Sequence, residues 1–162
     1  MQARCHEVLA NNGYAQYEIS AFAQPGRQCR HNLNYWRFGD YLGIGAGAHG
    51  KITDADADRI QRGWKHRQPA AYIEASRSGK VLSGENSLDE TDRLFEFLLN
   101  ALRLREGFSF SLFEQRTGLA RGKLLDACAR VRPELLEINR DNVRCTPLGY
   151  RFLNDVLETF LG

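Results

Sequence analysis

The chain has 162 residues, 43% of them apolar and 26% charged, with a formal net charge of +2. That balance is ordinary for a globular protein and excludes strong electrostatic capture by nucleic acid or an anionic membrane; no apolar run approaches the ~18 residues that span a bilayer. The start, Met1-Gln2-Ala3-Arg4-Cys5-His6-Glu7, lacks a signal-peptide apolar stretch, so the expected location is cytoplasmic.

Taken in order, residues 3–11 read as the end of an amphipathic helix with Val8 and Leu9 inward, stopped at Asn11-Asn12-Gly13. Tyr14 to Phe22 alternates as one strand, with Tyr17, Ile19 and Ala21 on one face and Glu18, Ser20 and Phe22 on the other. A helix running into a strand continues an α/β layer. Glu18 and Ser20 would then point from a strand end into the site of a (β/α) barrel; the alternative is an ion pair between Glu18 and one of the many arginines.

Pro25-Gly26 marks a turn before the densest stretch of the chain, Cys29-Arg30-His31-Asn32-Leu33-Asn34-Tyr35-Trp36. A helix over residues 29–37 sets His31 one turn from Tyr35 and Asn32 one turn from Trp36. That places a possible metal ligand beside aromatic faces; plain packing of the rings is the other reading. The run Gly43-x-Gly45-x-Gly47 is not a dinucleotide loop, because no helix opens after it and a strand-like Gly50-Lys51-Ile52-Thr53 follows. A tight backbone bend near a ligand suits these glycines better, and His49 at its end is a ligand, a hydrogen-bond donor or a structural residue.

Residues 50–64 suggest a hairpin whose aspartate-rich tip, Thr53 to Asp58, lacks the Gly and distal Glu of a calcium loop. Pro69 to Ser78 reads as a short surface helix ending at Gly79. Ser87-x-x-Glu90 is a capping-box pattern opening an apolar helix through Leu94, Phe95, Leu98, Leu99, Leu102 and Leu104, closed by Gly107. Ser111-x-x-Glu114 repeats the pattern for a helix closed by Gly118. Arg121 to Val131 forms a third helix, Leu136 to Cys145 a hairpin turning at Asp141-Asn142, and Thr146-Pro147 starts a last helix with Leu148, Phe152, Val156 and Phe160 on one face. The expected core of this part is Leu94, Phe95, Leu98, Leu102, Leu124, Cys128, Phe152 and Val156. Three helices, a hairpin and a helix make a winged-helix-like module. Its third helix is mildly basic, but nothing projects for base readout, so packing outranks nucleic-acid binding.

Cys5, Cys29, Cys128 and Cys145 form no C-x-x-C pair and are expected as separate reduced thiols, with no iron–sulfur site in this chain. The fold class is α+β, with a connecting hairpin and helix at 51–85 and a mostly helical winged-helix-like domain at 86–162.

The segments Tyr17-Glu18-Ile19-Ser20, Gly26-x-x-Cys29-x-His31-Asn32-x-x-Tyr35-Trp36 and Asp40-Tyr41-Leu42-Gly43-Ile44-Gly45-x-Gly47-Ala48-His49 together resemble the radical S-adenosylmethionine (SAM) family of oxygen-independent coproporphyrinogen III oxidase-like proteins. Within it, His31-Asn32-x-x-Tyr35-Trp36 is similar to the motif of the haem-chaperone branch. The resemblance implies that residues 1–50 are the last strand and helix units of a partial (β/α) barrel, and that haem is held at His31, Asn32, Tyr35 and Trp36, with His31 the iron ligand and Cys29 the alternative. Glu18, Ser20, Gly43, Gly45, Gly47 and His49 would belong to the barrel's site. It also implies a [4Fe–4S] cluster and SAM in the full-length protein only, since the family's C-x-x-x-C-x-x-C motif is not in this chain. The expected partners are haem and haem-accepting proteins. The alternatives are a porphyrin-synthesising oxidase that uses a SAM-derived radical, and a winged-helix nucleic-acid binder.

Overall fold

The structure is a computed structural model that describes residues 2–161. The chain divides into two compact units, Met1–Phe38 with Leu94–Gly162, and Gly39–Arg93. The mixed helix and strand content agrees with an α+β protein, and every strand pair among the described residues is antiparallel.

In order the elements are α1 (Gln2–Asn11), β1 (Ala15–Glu18), β2 (Ala21–Ala23), α2 (Arg30–Trp36), β3 (His49–Asp54), β4 (Arg59–Lys65), α3 (Pro69–Arg77) and β5 (Leu82–Ser87). They continue with α4 (Glu90–Ala101), β6 (Phe108–Ser109), α5 (Phe110–Thr117), α6 (Arg121–Cys128), β7 (Leu136–Ile138), β8 (Asn142–Cys145), α7 (Pro147–Arg151) and α8 (Leu153–Glu158).

In the first unit, the stretch expected as one strand from Tyr14 to Phe22 is a hairpin. β1 and β2 pair at Ala15↔Ala23, Gln16↔Phe22 and Glu18↔Ala21, and the chain turns at Ile19-Ser20. The Gln16 side-chain amide donates to the Ile19 carbonyl at 3.0 Å and steadies that turn. Alternation alone cannot reveal a turn whose residues keep the period, so the two-faced strand was the natural reading.

α4 supplies the core. Its buried stripe is Phe97, Leu98 and Ala101, continued just past the helix end by Leu102, each 0% exposed, whereas the expected Leu94 and Phe95 are only half-buried. The Phe97 ring meets Phe38, Phe108 and Phe113 near-perpendicularly at 5.9, 4.9 and 5.2 Å, an edge-to-face cluster in which each pair adds roughly 0.5–1.5 kcal/mol beyond burial. The helix stops at Ala101 and not at Leu104, because Leu104 bridges to Glu18 and the Arg105 N–H donates to the Tyr17 carbonyl at 3.0 Å. Those bonds replace helical ones.

β8 is the middle strand of a three-stranded sheet in the order β6-β8-β7. Its hairpin with β7 turns over Asn139, whose Oδ1 accepts from the N–H groups of Asp141 and Asn142, slightly ahead of the expected turn. The last helix is broken at Phe152 (φ −110, ψ 38) into α7 and α8. The break turns Leu148 and Phe152 outward, at 45% and 41% exposure, and buries Tyr150, Leu153, Val156, Leu157 and Phe160. Phe152 is therefore not a core residue; Val156, Leu98, Leu102, Leu124 and Cys128 are.

In the second unit, the expected hairpin β3–β4 forms in full register from His49↔Trp64 to Asp54↔Arg59. β5 adds a third strand to β4 that the polar sequence Leu82 to Ser87 does not advertise. Lys51 is 1% exposed, and its Nζ lies 2.7 Å from Asp40 Oδ1. Burial acts to raise the Asp40 carboxyl, but Lys51 and the N–H and hydroxyl of Thr53 outweigh it and hold the group below its ordinary value. Arg93, 8% exposed, closes this unit by donating to the Leu88 and Asp58 carbonyls and to the Asp58 carboxylate.

Candidate functional site

α2 carries the His-Asn-x-x-Tyr-Trp stretch as the expected helix, and none of its residues is buried. It begins at Cys29, extended at φ −66 and ψ 112, which offers no side-chain cap. The cap comes from a different element. The Tyr17 hydroxyl on β1 accepts from the Cys29 N–H and from the Asn32 side-chain amide, both at 3.4 Å. At the other end Phe38 adopts φ +54, a left-handed conformation rare outside glycine, and its ring is 1% exposed. Burial of that ring stops the helix where no glycine does.

The helix period sorts the motif into two pairs. His31 and Tyr35 form the open pair: their rings meet edge-to-face at 4.9 Å, His31 is exposed and Tyr35 half-buried. Asn32 and Trp36 face the body of the unit. Asn32 is tied to Tyr17, and the Arg103 guanidinium covers the Trp36 ring at 5.1 Å. Trp36 Nε1 is buried and has no partner among the described residues. The Cys29 thiol is exposed beside this pair.

Glu18 differs from its expected open position. It is 2% exposed at the hairpin end; one oxygen accepts from Ser20 Oγ at 3.3 Å, and Oε2 is buried without a partner among the described residues. Ser20 itself is exposed.

The glycine loop lies in the second unit and makes a tight bend. Tyr41 and Lys51 exchange backbone bonds of 3.0 Å at its base, and Gly45 and Gly47 sit at φ +103 and +72. A Cβ at Gly43 would overlap the backbone of His49, so the chain's approach to itself already accounts for this glycine. The bend leaves Leu42 and Ile44 79% and 88% exposed over a cavity of about 400 Å³ that Arg62, Lys65 and Leu82 also line. His49 is exposed and stacks on Trp64 at 6.4 Å.

Among the described residues no three His, Cys, Asp or Glu side chains gather as a metal-holding group. An axial haem ligand needs only one accessible imidazole with an apolar or aromatic neighbour, and the His31–Tyr35 pair fits that requirement. The residues that sequence reasoning missed are Tyr17 as the cap, Phe38 as the stop and Arg103 on Trp36. All are contacts across many residues, and no local pattern signals them.

Residues 88–152 match the HemN C-terminal domain family. That match takes in 65 of the 162 residues. Over 161 residues it is 44% identical to "Heme chaperone HemW" of Escherichia coli strain K12, covering 97% of this chain and 40% of that protein. Over 157 residues it is 42% identical to the protein of the same name from Haemophilus influenzae, again covering 40% of the relative. The chain thus spans about 40% of the length of the curated relatives it matches. A solved structure described as "Coproporphyrinogen III oxidase (HemN) from Escherichia coli is a Radical SAM enzyme" superposes with a TM-score of 0.66 at 16% identity, over 98% of this chain and 39% of that one. That likeness establishes the fold. The matched stretch begins within the β5–α4 connection and ends at the break between α7 and α8. The His-Asn-x-x-Tyr-Trp motif precedes it, and α2 shares a compact unit with most of it. Among the described residues no helix is long and apolar enough to cross a membrane.

Proposed function

We propose that this chain is part of a haem chaperone and that α2 is where it holds haem. The observation that carries the reading is the 44% identity across 97% of the chain to a haem chaperone. The exposed imidazole beside a tyrosine edge supports it chemically. His31 would ligate the iron, with the Cys29 thiol as the alternative, and Tyr35 would lie against the bound ring. Asn32 and Trp36 would act one step back, since Tyr17 and Arg103 tie them to the unit and keep α2 in place. When bound, haem would be the group handed on to an apoprotein; His31 or Cys29 would hold its iron and Tyr35 would lie against the ring.

In the full-length protein we assign a [4Fe–4S] cluster and SAM to the part of the radical SAM barrel that this chain lacks. Residues 1–50 would carry the end of that barrel with the motif, residues 51–85 would connect, and residues 86–162 would form the winged-helix-like domain. Glu18 and Ser20 of the first unit, and separately Gly43, Gly45, Gly47 and His49 of the second, would belong to the barrel part of that longer protein. Haem-accepting proteins are the expected partners, in the cytoplasm. No specific feature favours the oxidase or nucleic-acid alternatives.

The test is a visible titration of the full-length protein with ferric haem. His31→Ala is expected to shift or abolish the Soret band of the complex, while His49→Ala leaves it in place. A wild-type titration for His31→Ala moves the ligand to Cys29. The same result for a Cys29→Ala, His31→Ala double variant ends the α2 assignment.

A further inference from the structure

We propose that Arg30, Arg37 and Arg116 form a carboxylate-binding cleft that takes the propionate groups of haem; this rests on the haem reading above. The three guanidinium side chains line one cavity of about 200 Å³ with Leu33 and Asn34. Residues 30, 33, 34 and 37 follow the i, i+3, i+4, i+7 spacing of a single helix face, so α2 presents them together. Arg116 reaches the cavity from the last turn of α5 and is half-buried.

No acidic residue among the described ones pairs with Arg30, Arg37 or Arg116. What distinguishes these three from the chain's other arginines without an ion pair is that they converge on one cavity. Arg30 and Arg37 are exposed and Arg116 is half-buried, so an anion entering the cleft meets three guanidiniums that no carboxylate of the described residues occupies. Planar guanidinium forks match carboxylates in pairs of hydrogen bonds, and Leu33 gives the cleft an apolar side.

The cleft also lies next to the proposed ligand. Each residue advances about 100° around an α-helix, so His31 lies roughly 60° beyond Asn34, the edge of the cleft nearest to it, and Tyr35 further round. One short helix therefore carries an exposed imidazole and one wall of a cationic cleft, with Asn34 between them. Haem joins an iron to two carboxylates on one rigid ring, and few other ligands could use both faces at once.

The experiment compares ferric haem with its dimethyl ester, which keeps the iron and ring but has no carboxylates, in visible titrations of the full-length protein. The wild type is expected to bind haem at least about tenfold more tightly than the ester, the scale of one charge-assisted contact. R37Q/R116Q should lose most of that preference, with an unmoved Soret maximum and unchanged ester affinity. R37K/R116K, which keeps the charge without the fork, should recover part of it. An undiminished preference in R37Q/R116Q overturns the cleft and leaves the haem reading intact. If wild type changes the spectrum of neither ligand, the haem reading fails and this inference with it. If millimolar inorganic phosphate raises the melting temperature of wild type but not R37Q/R116Q, and wild type does not prefer haem to ester, the cleft is a phosphate site and the propionate assignment is wrong.

Discussion

Phe38 shows how one residue can be placed against its own backbone preference. Holding a non-glycine residue in the left-handed region costs roughly 1–2 kcal/mol, while burying a phenylalanine side chain contributes about 1.5–3 kcal/mol, with the Phe97 contact added to it. Burial wins, and α2 ends there. Phe38→Ala should therefore lower stability by about 3–5 kcal/mol in urea unfolding. Phe152→Ala should stay within about 0.5 kcal/mol of wild type, because that ring is 41% exposed at the helix break. Equal losses for the two would mean that α7 and α8 bury a different face. The sequence pattern alone put Phe152 in the core, since an uninterrupted helix from Thr146 sets residues 148, 152, 156 and 160 in line. The pairing of His31 with Tyr35 was legible from spacing, being internal to one helix. The Tyr17 tether to Asn32 was not, because nothing local links residues 15 positions apart.

At the scale of elements, the caps separate pattern from structure. Two Ser-x-x-Glu patterns mark helix starts in the sequence, and both lie near real starts, yet neither serine caps. Ser87 is still paired in β5, opposite Gln61, so α4 opens at Asp89, whose Oδ1 accepts from the Asp92 N–H at 2.8 Å. β6 ends at Ser109, so α5 opens at once and the Ser109 hydroxyl accepts from the Leu112 N–H at 3.1 Å. Strand pairing decides where a helix can begin, and the nearest competent side chain then caps it. Ser109→Ala should cost about 1 kcal/mol of stability, measured by thermal or urea unfolding. Ser111→Ala, inside the first turn and exposed, should cost only a few tenths of a kcal/mol. The reverse ranking would restore the original capping box.

At the scale of the whole molecule, the four thiols form two classes. Cys5 and Cys29 are exposed, whereas Cys128 and Cys145 are buried. Burial pushes the Cys128 thiol up to about 11, and burial with the neighbouring Cys128 pushes Cys145 up to about 12. A thiol reagent at neutral pH should modify two cysteines in the native protein and four after unfolding. Because both folded values lie above the ordinary 9.0, the buried thiols stay neutral in the fold while the unfolded chain ionises. Their contribution is complete below about pH 9 and is lost as pH rises toward 11 and 12, so stability should fall along that alkaline limb; Cys128→Ala, Cys145→Ala should flatten it. What the sequence determined by itself was whatever depends on neighbours a few residues apart. This includes the two turns of α2 and their facing His31 and Tyr35, the helix at Pro69, the β3–β4 and β7–β8 hairpins, and the family resemblance carried by contiguous motifs. The tertiary structure alone decided the turn at Ile19-Ser20, the third strand β5, which stripe of α4 is buried, the burial of Glu18, and the meeting of Arg116 with Arg30 and Arg37. Each of these is set by backbone hydrogen bonds or side-chain burial against partners far along the chain, and periodicity carries no information about such partners.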